Sequence, residues 1–180
     1  PILIGAEIVT SLQQIVSRKC DPKTPCVLSF GHFEALGATN IIPSSAHLKG
    51  TFRTMDEPWR AEALELIRMS MEKITEASGG RLELNISKGY PFLENDSETT
   101  RAMKAVAIDF LGEDKVDDLP IRLTAEDFSY YSQEIPVCFF RLGVRNEDKE
   151  IVYGVHHPKF NIDNDSLEIG MQMMSLAVFS

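Results

Sequence analysis

The sequence predicts an α/β (α+β) protein whose first half is a ferredoxin-like unit. The first 90 residues alternate between helical and strand-like apolar spacing in the order α-β-β-α-β. That order lacks only the leading strand of a β-α-β-β-α-β unit, and we expect the missing strand to lie before Pro1. In the second half, residues 137–144 are apolar apart from Arg141, which is typical of strands buried in a larger α/β sheet.

The first predicted elements are a helix and two strands. Residues 4–19 carry apolar side chains three or four positions apart, which predicts a helix with one buried face. Residues 26–33 follow as a strand. In residues 46–54 apolar and polar side chains alternate, so we expect Leu48 and Arg53 to lie on opposite faces of a second strand.

A second helix is predicted between a start signal and a stop signal. Asp56 is a suitable N-cap with Pro58 in the first turn, and Gly79-Gly80 end the apolar stripe. Residues 82–86 then alternate between apolar and polar side chains, which predicts a third strand.

The pattern changes after this strand, and we predict two domains, residues 1–90 and residues 91–180. In the second domain the spacing predicts a helix over 97–111 and strands over 121–123 and 137–144. The last helix is predicted to bury a stripe of four apolar residues: Leu167, Met171, Met174 and Val178.

Composition excludes several classes of function. The formal charge of −9 argues against nucleic-acid binding, which needs a basic face. No apolar run approaches the ~20 residues of a membrane span. The three cysteines, Cys20, Cys26 and Cys138, lack metal-binding or redox spacing, which favours reduced thiols and a cytoplasmic protein.

His156 and His157 are the candidate end of a metal site. They lie on a turn bounded by Gly154 and Pro158, with Asp163 just downstream. A zinc-type ion needs three or four protein or water ligands, and the chain has no H-x-E, H-E-x-x-H or C-x-x-C motif. We therefore expect the remaining ligands to lie outside these 180 residues.

Several motifs together resemble the metal-dependent M20 amidohydrolases and peptidases, the group of N-acyl-amino-acid amidohydrolases, hippurate hydrolases and auxin-conjugate hydrolases. The motifs occur in the order of that family, which makes the resemblance specific. They are Gly37-Ala38-Thr39-Asn40-Ile41-Ile42-Pro43, Gly50-Thr51-Phe52-Arg53-Thr54, residues 125–131, Phe140-Arg141-Leu142-Gly143 and His156-His157-Pro158-Lys159-Phe160.

The resemblance implies that the two predicted domains have different functions. Residues 1–90 would be the lid or dimerisation domain, and residues 91–180 the C-terminal part of the catalytic domain. His156 would be a ligand of one or two divalent ions (Zn, Mn, Ni or Co). The general base and the other ligands would precede Pro1, so no catalytic residue is expected in these 180 residues, and this chain alone should be inactive.

The resemblance also implies residues that hold the substrate. Asn40 and Arg53 would bind it, Arg53 through a charge-assisted pair with a carboxylate. The alternatives are that Arg53 belongs to a solvated sheet face and that Asn40 is a turn residue tolerating a left-handed conformation. Gly143 would admit the substrate backbone, or would merely end a strand.

The sequence leaves alternative roles for His157 and Asp163, which lie close to the candidate metal ligand His156 along the chain. His157 lies where relatives vary, so we expect it to support the site or face solvent rather than bind metal. Asp163 could orient the ligand or cap the last helix.

The whole protein is accordingly expected to hydrolyse the amide bond of N-acyl amino acids or related conjugates and to form a homodimer through residues 1–90. One alternative is a non-catalytic dimerisation or binding module. The other is a dipeptidase or carboxypeptidase of the same superfamily.

Overall fold

The computed structural model describes residues 1–178, which form two compact units. Unit 1 contains Pro1–Leu93 and Arg122–Ser129, and unit 2 contains Glu94–Ile121 and the chain from Tyr130 onward. None of the helices in the described residues is long and apolar enough to cross a membrane.

Unit 1 contains two helices and two strands at the predicted places. Helix α1 (Ile2–Gln14) continues as a π-helical turn (Ile15–Lys19) and leads into strand β1 (Cys26–Glu34). Strand β2 (His47–Thr54) is followed by helix α2 (Glu57–Ala77). These four elements confirm the predicted α-β-β-α order.

The predicted signals at the ends of α2 are confirmed. The Asp56 side chain accepts a hydrogen bond from the Trp59 N–H at 2.7 Å, which caps the helix. Gly79 adopts a φ of +67°, the left-handed conformation that ends helices at low cost for glycine.

Strands β1 and β2 form an antiparallel pair with a register that runs from Cys26 opposite Thr54 to Glu34 opposite His47. An irregularity lies between Phe30 and His32. Leu28 and its partner Phe52 pack into the core with both helices, whereas Arg53 is on the exposed face, as the alternation predicts.

One apolar cluster holds unit 1 together. Gly5 lets α1 approach the sheet closely, because an added Cβ would lie 2.7 Å from the Phe33 ring. Leu12 is 1% exposed and Ala63 is fully buried, so these two side chains lie at the centre of the cluster. The buried members are Ile8, Leu12, Ile15, Leu28, Ala63, Ile67 and Met71.

A buried ion pair fixes the chain that follows the core. Arg60 is 8% exposed and pairs with Glu57 at 2.5 Å on the first turn of α2. Arg60 also donates to the Tyr90 carbonyl at 2.5 Å, and Glu57 accepts from the Phe92 N–H at 3.1 Å. Both charges thereby gain hydrogen-bond partners that offset their burial.

The predicted third strand of unit 1 is wrong: residues 82–86 form no strand, and the described sheet has two strands. A strand is stabilised by hydrogen bonds to a neighbour. In a β-α-β-β-α-β unit the last strand pairs with the leading strand, and no such strand is present among the described residues. Residues 82–86 therefore have alternating side chains but lack the neighbouring backbone with which a strand would pair.

Unit 2 is built from helices and extended segments. Helix α3 (Ser97–Leu111) begins and ends as predicted, because Asp96 caps it through the Thr99 N–H at 2.8 Å and Gly112 follows with a φ of +96°. The Thr99 hydrogen bonds hold the pKa of Asp96 below its ordinary value. Helix α4 (Ser129–Ser132) is one short turn, and helix α5 spans Asp165–Leu176.

The predicted strands of the second domain are also wrong. Residues 121–123 and 137–144 have no ladder partner in the described chain. Instead, the Asn95 side chain donates to the Phe139 carbonyl at 2.9 Å and accepts from the Phe139 N–H at 2.8 Å. The Asn95 amide thus satisfies both backbone groups of Phe139, which a neighbouring strand would otherwise have paired.

The predicted buried stripe of the last helix is wrong as well. Leu167, Met171 and Met174 are 58%, 65% and 61% exposed, and Val178 is exposed too. The buried positions of α5 are Ser166 and Met173. On the face that these two residues share, a Cβ added at Gly170 would lie 3.0 Å from Leu142, so Gly170 lets this face pack closely while Leu167, Met171 and Met174 lie on the exposed side.

Candidate active site

His156 lies in a tight turn with an unusual backbone. The His157 N–H donates to the Gly154 carbonyl at 3.1 Å, so Val155 and His156 are the two central residues of the turn. His156 has a φ of +73° at the position where a type II turn requires positive φ and usually has Gly or Asn. A histidine in this conformation costs of order 1–3 kcal/mol, which is a signature of functional positions.

The neighbouring His157 is held by other groups of the same loop. Its ring stacks on Tyr153 with centroids 4.3 Å apart and an interplanar angle of 10°. Its Nδ1 accepts the Lys159 N–H at 3.1 Å, so a neutral His157 carries its proton on Nε2. Lys159 also places its ammonium group 5.6 Å from the Tyr153 ring centroid. These contacts give His157 a role in the structure of the loop.

The residues around His156 can supply one ligand but not a complete metal site. His156 is exposed and has a positive φ, so its imidazole is accessible to a metal ion without any burial of the side chain. Among residues 1–178, no group of three His, Cys, Asp or Glu side chains is arranged to hold a metal ion. His156 therefore suits the chemistry of a single nitrogen donor in a site with further ligands from elsewhere.

Asn40 lies at the tip of an exposed loop of unit 1. The Ile41 N–H donates to the Ala38 carbonyl at 3.0 Å, which closes a tight turn around Thr39 and Asn40. Gly37 is required beside it, because a Cβ there would lie 2.7 Å from the Ile41 carbonyl oxygen. Asn40 does not have positive φ, so the left-handed conformation does not explain an asparagine here.

Arg53 lies on the outer face of β2, opposite Val27. Its Nη1 donates to the Leu123 carbonyl at 2.7 Å, which ties the exposed guanidinium to the segment Arg122–Ser129 of unit 1. A guanidinium has five N–H donors, so this bond orients the side chain and leaves its other edge available to an anion.

Gly143 is exposed, and a Cβ added to it would meet nothing within 4 Å. Its φ is not in the left-handed region either. Neither crowding nor backbone conformation within the described chain therefore requires glycine at this position.

Asp163 does more than cap α5, and two of its partners were not found from the sequence. Its Oδ2 accepts from the Asn146 side chain at 2.6 Å, and its Oδ1 accepts from the Lys149 ammonium at 2.7 Å. The Lys149 and Asn146 hydrogen bonds hold the pKa of Asp163 below its ordinary value. Asn146 and Lys149 belong to none of the sequence motifs, so their hydrogen bonds to Asp163 could be found only from the structure.

Of the four predicted site residues, Asn40 and Arg53 belong to unit 1, and Gly143 and His156 belong to unit 2. The metal-ligand and substrate-binding roles assigned to them remain predictions. The comparisons with known proteins bear on the family to which these residues belong.

A family model described as peptidase family M20/M25/M40 matches residues 4–180, almost the whole chain. The chain belongs to this family. As an M20 chain it is 33% identical over 171 residues to thermostable carboxypeptidase 2 of Saccharolobus solfataricus, covering 94% of this chain and 43% of that protein. It is 32% identical over 173 residues to the IAA-amino acid hydrolase ILR1-like 6 of Arabidopsis thaliana, covering 94% of this chain and 37% of the relative.

The M20 fold is also supported by a solved structure. The YXEP protein of Bacillus subtilis, described as a dinuclear metal-binding peptidase of the M20 family, superimposes with a TM-score of 0.72 at 27% sequence identity. The match covers 99% of this chain and 46% of that protein. The chain therefore spans less than half the length of these relatives.

Proposed function

We propose that the whole protein is a metal-dependent hydrolase of the amide bond in N-acyl amino acids or related conjugates. Membership of the M20 family and the name of the Arabidopsis relative, an amino-acid conjugate hydrolase, support this substrate class. The structural observation that carries the proposal is the φ of +73° at His156, the residue to which the resemblance assigns a metal-ligand role.

In this proposal the chain supplies one metal ligand and the substrate contacts. One or two divalent ions (Zn, Mn, Ni or Co), when bound, supply the Lewis acidity that polarises an amide carbonyl and acidifies water. His156 would hold an ion through its imidazole. The Arg53 guanidinium, oriented by the Leu123 carbonyl, would pair with the substrate carboxylate. Asn40 would hydrogen-bond the substrate, and Gly143 would leave room for its backbone.

A peptidase of the same superfamily is the second candidate, and the relationship to thermostable carboxypeptidase 2 favours it. The two activities share the metal, the carboxylate contact and the scissile amide. They differ only in what lies on the acyl side of the bond, so a comparison of N-acyl amino acids with dipeptides as substrates distinguishes them. A non-catalytic binding module would hydrolyse neither.

The test compares two adjacent histidines in the full-length protein. His156→Ala should abolish amide hydrolysis and lower the metal content, because an ion that loses an imidazole is under-coordinated. His157→Ala should retain bound metal and most of the activity, because the His157 partners are Tyr153 and Lys159. Full activity in His156→Ala would refute the proposal. The 180-residue chain alone should show no metal-dependent hydrolysis, since it holds one candidate ligand.

We further propose a cytoplasmic homodimer that forms through residues 1–90. Strand β1 pairs with β2 on one side only, and its other edge has no strand beside it in the described chain. Helix α1 exposes Leu3 at 79% of its surface. An unpaired strand edge and an exposed apolar side chain are both features that an interface between two copies can cover. Light scattering at micromolar concentration should give the mass of a dimer, and the mass of a monomer would contradict the proposal.

A further inference from the structure

The loop that carries His156 has polar anchors at both of its ends. On the N-terminal side, residues 146–151 form a tight turn in which Asn146 and Ile151 exchange backbone hydrogen bonds of 3.0 and 2.8 Å. On the C-terminal side, the Asp163 N–H donates to the Val144 carbonyl at 3.0 Å. The segment 152–162 between these anchors contains His156.

A carboxylate connects the two anchors. Asp163 is 9% exposed, and each of its oxygens is bound by a side chain from the turn, Oδ2 by Asn146 at 2.6 Å and Oδ1 by Lys149 at 2.7 Å. Lys149 also bonds to Asp165 at 2.6 Å, and its own N–H donates to the Asn146 side chain at 3.1 Å. Charge-assisted bonds of this length are the strong class of hydrogen bond.

These bonds are more than a helix cap. The Asp163 carboxylate contacts the first residue of α5 only through the Asp165 N–H at 3.3 Å, whereas Ser166 is bound by the Asp163 backbone carbonyl. The two short bonds of the carboxylate instead reach back 14 and 17 residues along the chain. Their effect is to fix the distance between the two ends of the loop.

A loop with fixed ends can hold a strained residue. His156 keeps its positive φ only if the surrounding structure outweighs the cost. Within the loop, the Phe160 N–H donates to the His157 carbonyl at 2.8 Å, and His157 stacks on Tyr153, so the two halves of the loop contact each other. Fixing its ends then limits the conformations that His156 can adopt.

We propose that Asn146, Lys149 and Asp163, here called the loop clamp, are positioning residues that hold the His156 turn in its strained, ligand-presenting conformation. The inference rests on the proposed function only where it identifies His156 as a metal ligand. The clamp itself is a statement about the order of residues 152–162, and it can be tested with no metal present.

The first experiment measures amide hydrogen exchange in the full-length protein after a chelator has removed any metal. Lys149→Met removes the ammonium but keeps an unbranched side chain, and exchange across residues 152–162 should accelerate about tenfold while α3 is unaffected. Lys149→Arg keeps the cation and should restore slow exchange. Lys104→Met is the matched control, because Lys104 makes an equally short bond of 2.7 Å to Asp118 elsewhere in unit 2. An unchanged loop in Lys149→Met, or an equal effect in Lys104→Met, overturns the proposal.

The second experiment measures metal affinity in the full-length protein, with zinc as the probe. Lys149→Met should weaken the affinity about tenfold, as is usual when a group that supports a ligand is lost, and Lys149→Arg should recover it. If His156→Ala leaves the zinc content intact, the proposed function fails while the exchange result still decides the clamp. If His156→Ala loses zinc but Lys149→Met binds it normally, the positioning role fails alone.

Discussion

Unit 1 and unit 2 are stabilised in different ways. Unit 1 packs seven buried apolar residues from two helices and a sheet into one cluster. In unit 2 the buried apolar residues of the described chain are Met103, Val137 and Met173, and they come from separate elements. Three large apolar side chains of α5, those of Leu167, Met171 and Met174, are exposed instead.

Polar side chains make many of the long-range links in unit 2. Asn95 binds the backbone of Phe139, Lys104 pairs with Asp118, and Asp163 binds Asn146 and Lys149. Apolar packing is not directional and its stabilisation grows with the apolar area buried, so truncation of a buried side chain loses area and leaves a cavity. A hydrogen-bonded link instead depends on two particular groups. We therefore expect truncation of a buried apolar side chain to destabilise unit 1, and loss of a charged side chain to destabilise unit 2.

The largest effect is expected from a Leu→Ala substitution in unit 1, compared with the same substitution in unit 2. Leu12→Ala in unit 1 should lower the free energy of unfolding by about 4 kcal/mol, because Leu12 is 1% exposed and leaves a cavity. Leu167→Ala in α5 should change it by less than about 0.5 kcal/mol, because Leu167 is 58% exposed. Urea unfolding followed by the fluorescence of Trp59, the one tryptophan, reports on unit 1, and hydrogen exchange reports on α5. Equal costs would show that the α5 stripe is covered.

The next largest effect concerns the ion pair of Arg60 and Glu57, a buried polar link in the otherwise apolar packing of unit 1. Arg60→Ala should cost about 3 kcal/mol, because Glu57 would remain half-buried without its cation and the Tyr90 carbonyl would lose its donor. Arg68→Ala on the same helix removes two exposed ion pairs, with Glu65 and Glu72, and should cost much less. Urea unfolding of both variants gives the ratio, and similar losses would contradict the importance of burial.

The third prediction separates binding from stability on the outer face of unit 1. In the full-length protein Arg53→Lys replaces a planar fork with a point charge, and kcat/KM for a free-acid substrate should fall about ten- to a hundred-fold, or about 1.5–3 kcal/mol. Thermal stability should hardly change, because Arg53 is exposed. A substrate with its carboxylate converted to an amide should be poor already and little affected by the substitution. Unchanged kcat/KM on the free acid would leave only the structural role of the Leu123 bond.

The smallest expected effect is the pH dependence of unit 2. Lys149 holds the pKa of Asp163 below its ordinary 3.8, so this bond stabilises the folded state fully above pH 4 and less as the pH falls through the folded value. Asp163 in turn raises the pKa of Lys149 above 10.5, so the contribution is lost again as the pH rises through that higher value. Urea unfolding at pH 6 and pH 3 should show a wild-type advantage over Asp163→Asn that shrinks on acidification. A constant advantage would contradict this assignment.

Local signals predicted the helices well. Apolar spacing located α1 and α3, Asp56 located the start of α2, and glycines located the ends of α2 and α3. Each of these signals acts within about one helical turn, so the sequence contains both partners. The strand pair of unit 1 was predicted for a similar reason, since its two strands are close along the chain and alternate cleanly.

The strands of residues 82–86 and 137–144 could not be decided in this way. Alternation or apolarity shows only that a segment could be a strand, and a strand forms when a neighbour supplies its backbone partners. In 137–144 the backbone of Phe139 is bound by the Asn95 side chain, more than 40 residues away in sequence, and not by a neighbouring strand. The α5 stripe failed for a related reason, because the periodicity of a helix does not reveal which face its surroundings cover.

By itself, the sequence determined the family, the helices and the candidate site residues Asn40, Arg53, Gly143 and His156, because these depend on residue type, spacing and short-range capping. Only the tertiary structure decided which groups form hydrogen bonds with these residues or with the loops that carry them. It placed the Leu123 carbonyl against Arg53, and Asn146 and Lys149 against Asp163 at the two ends of the loop that carries His156. These contacts join residues 14 to 70 positions apart, and such distances are closed only by folding, so no local pattern of residues records them.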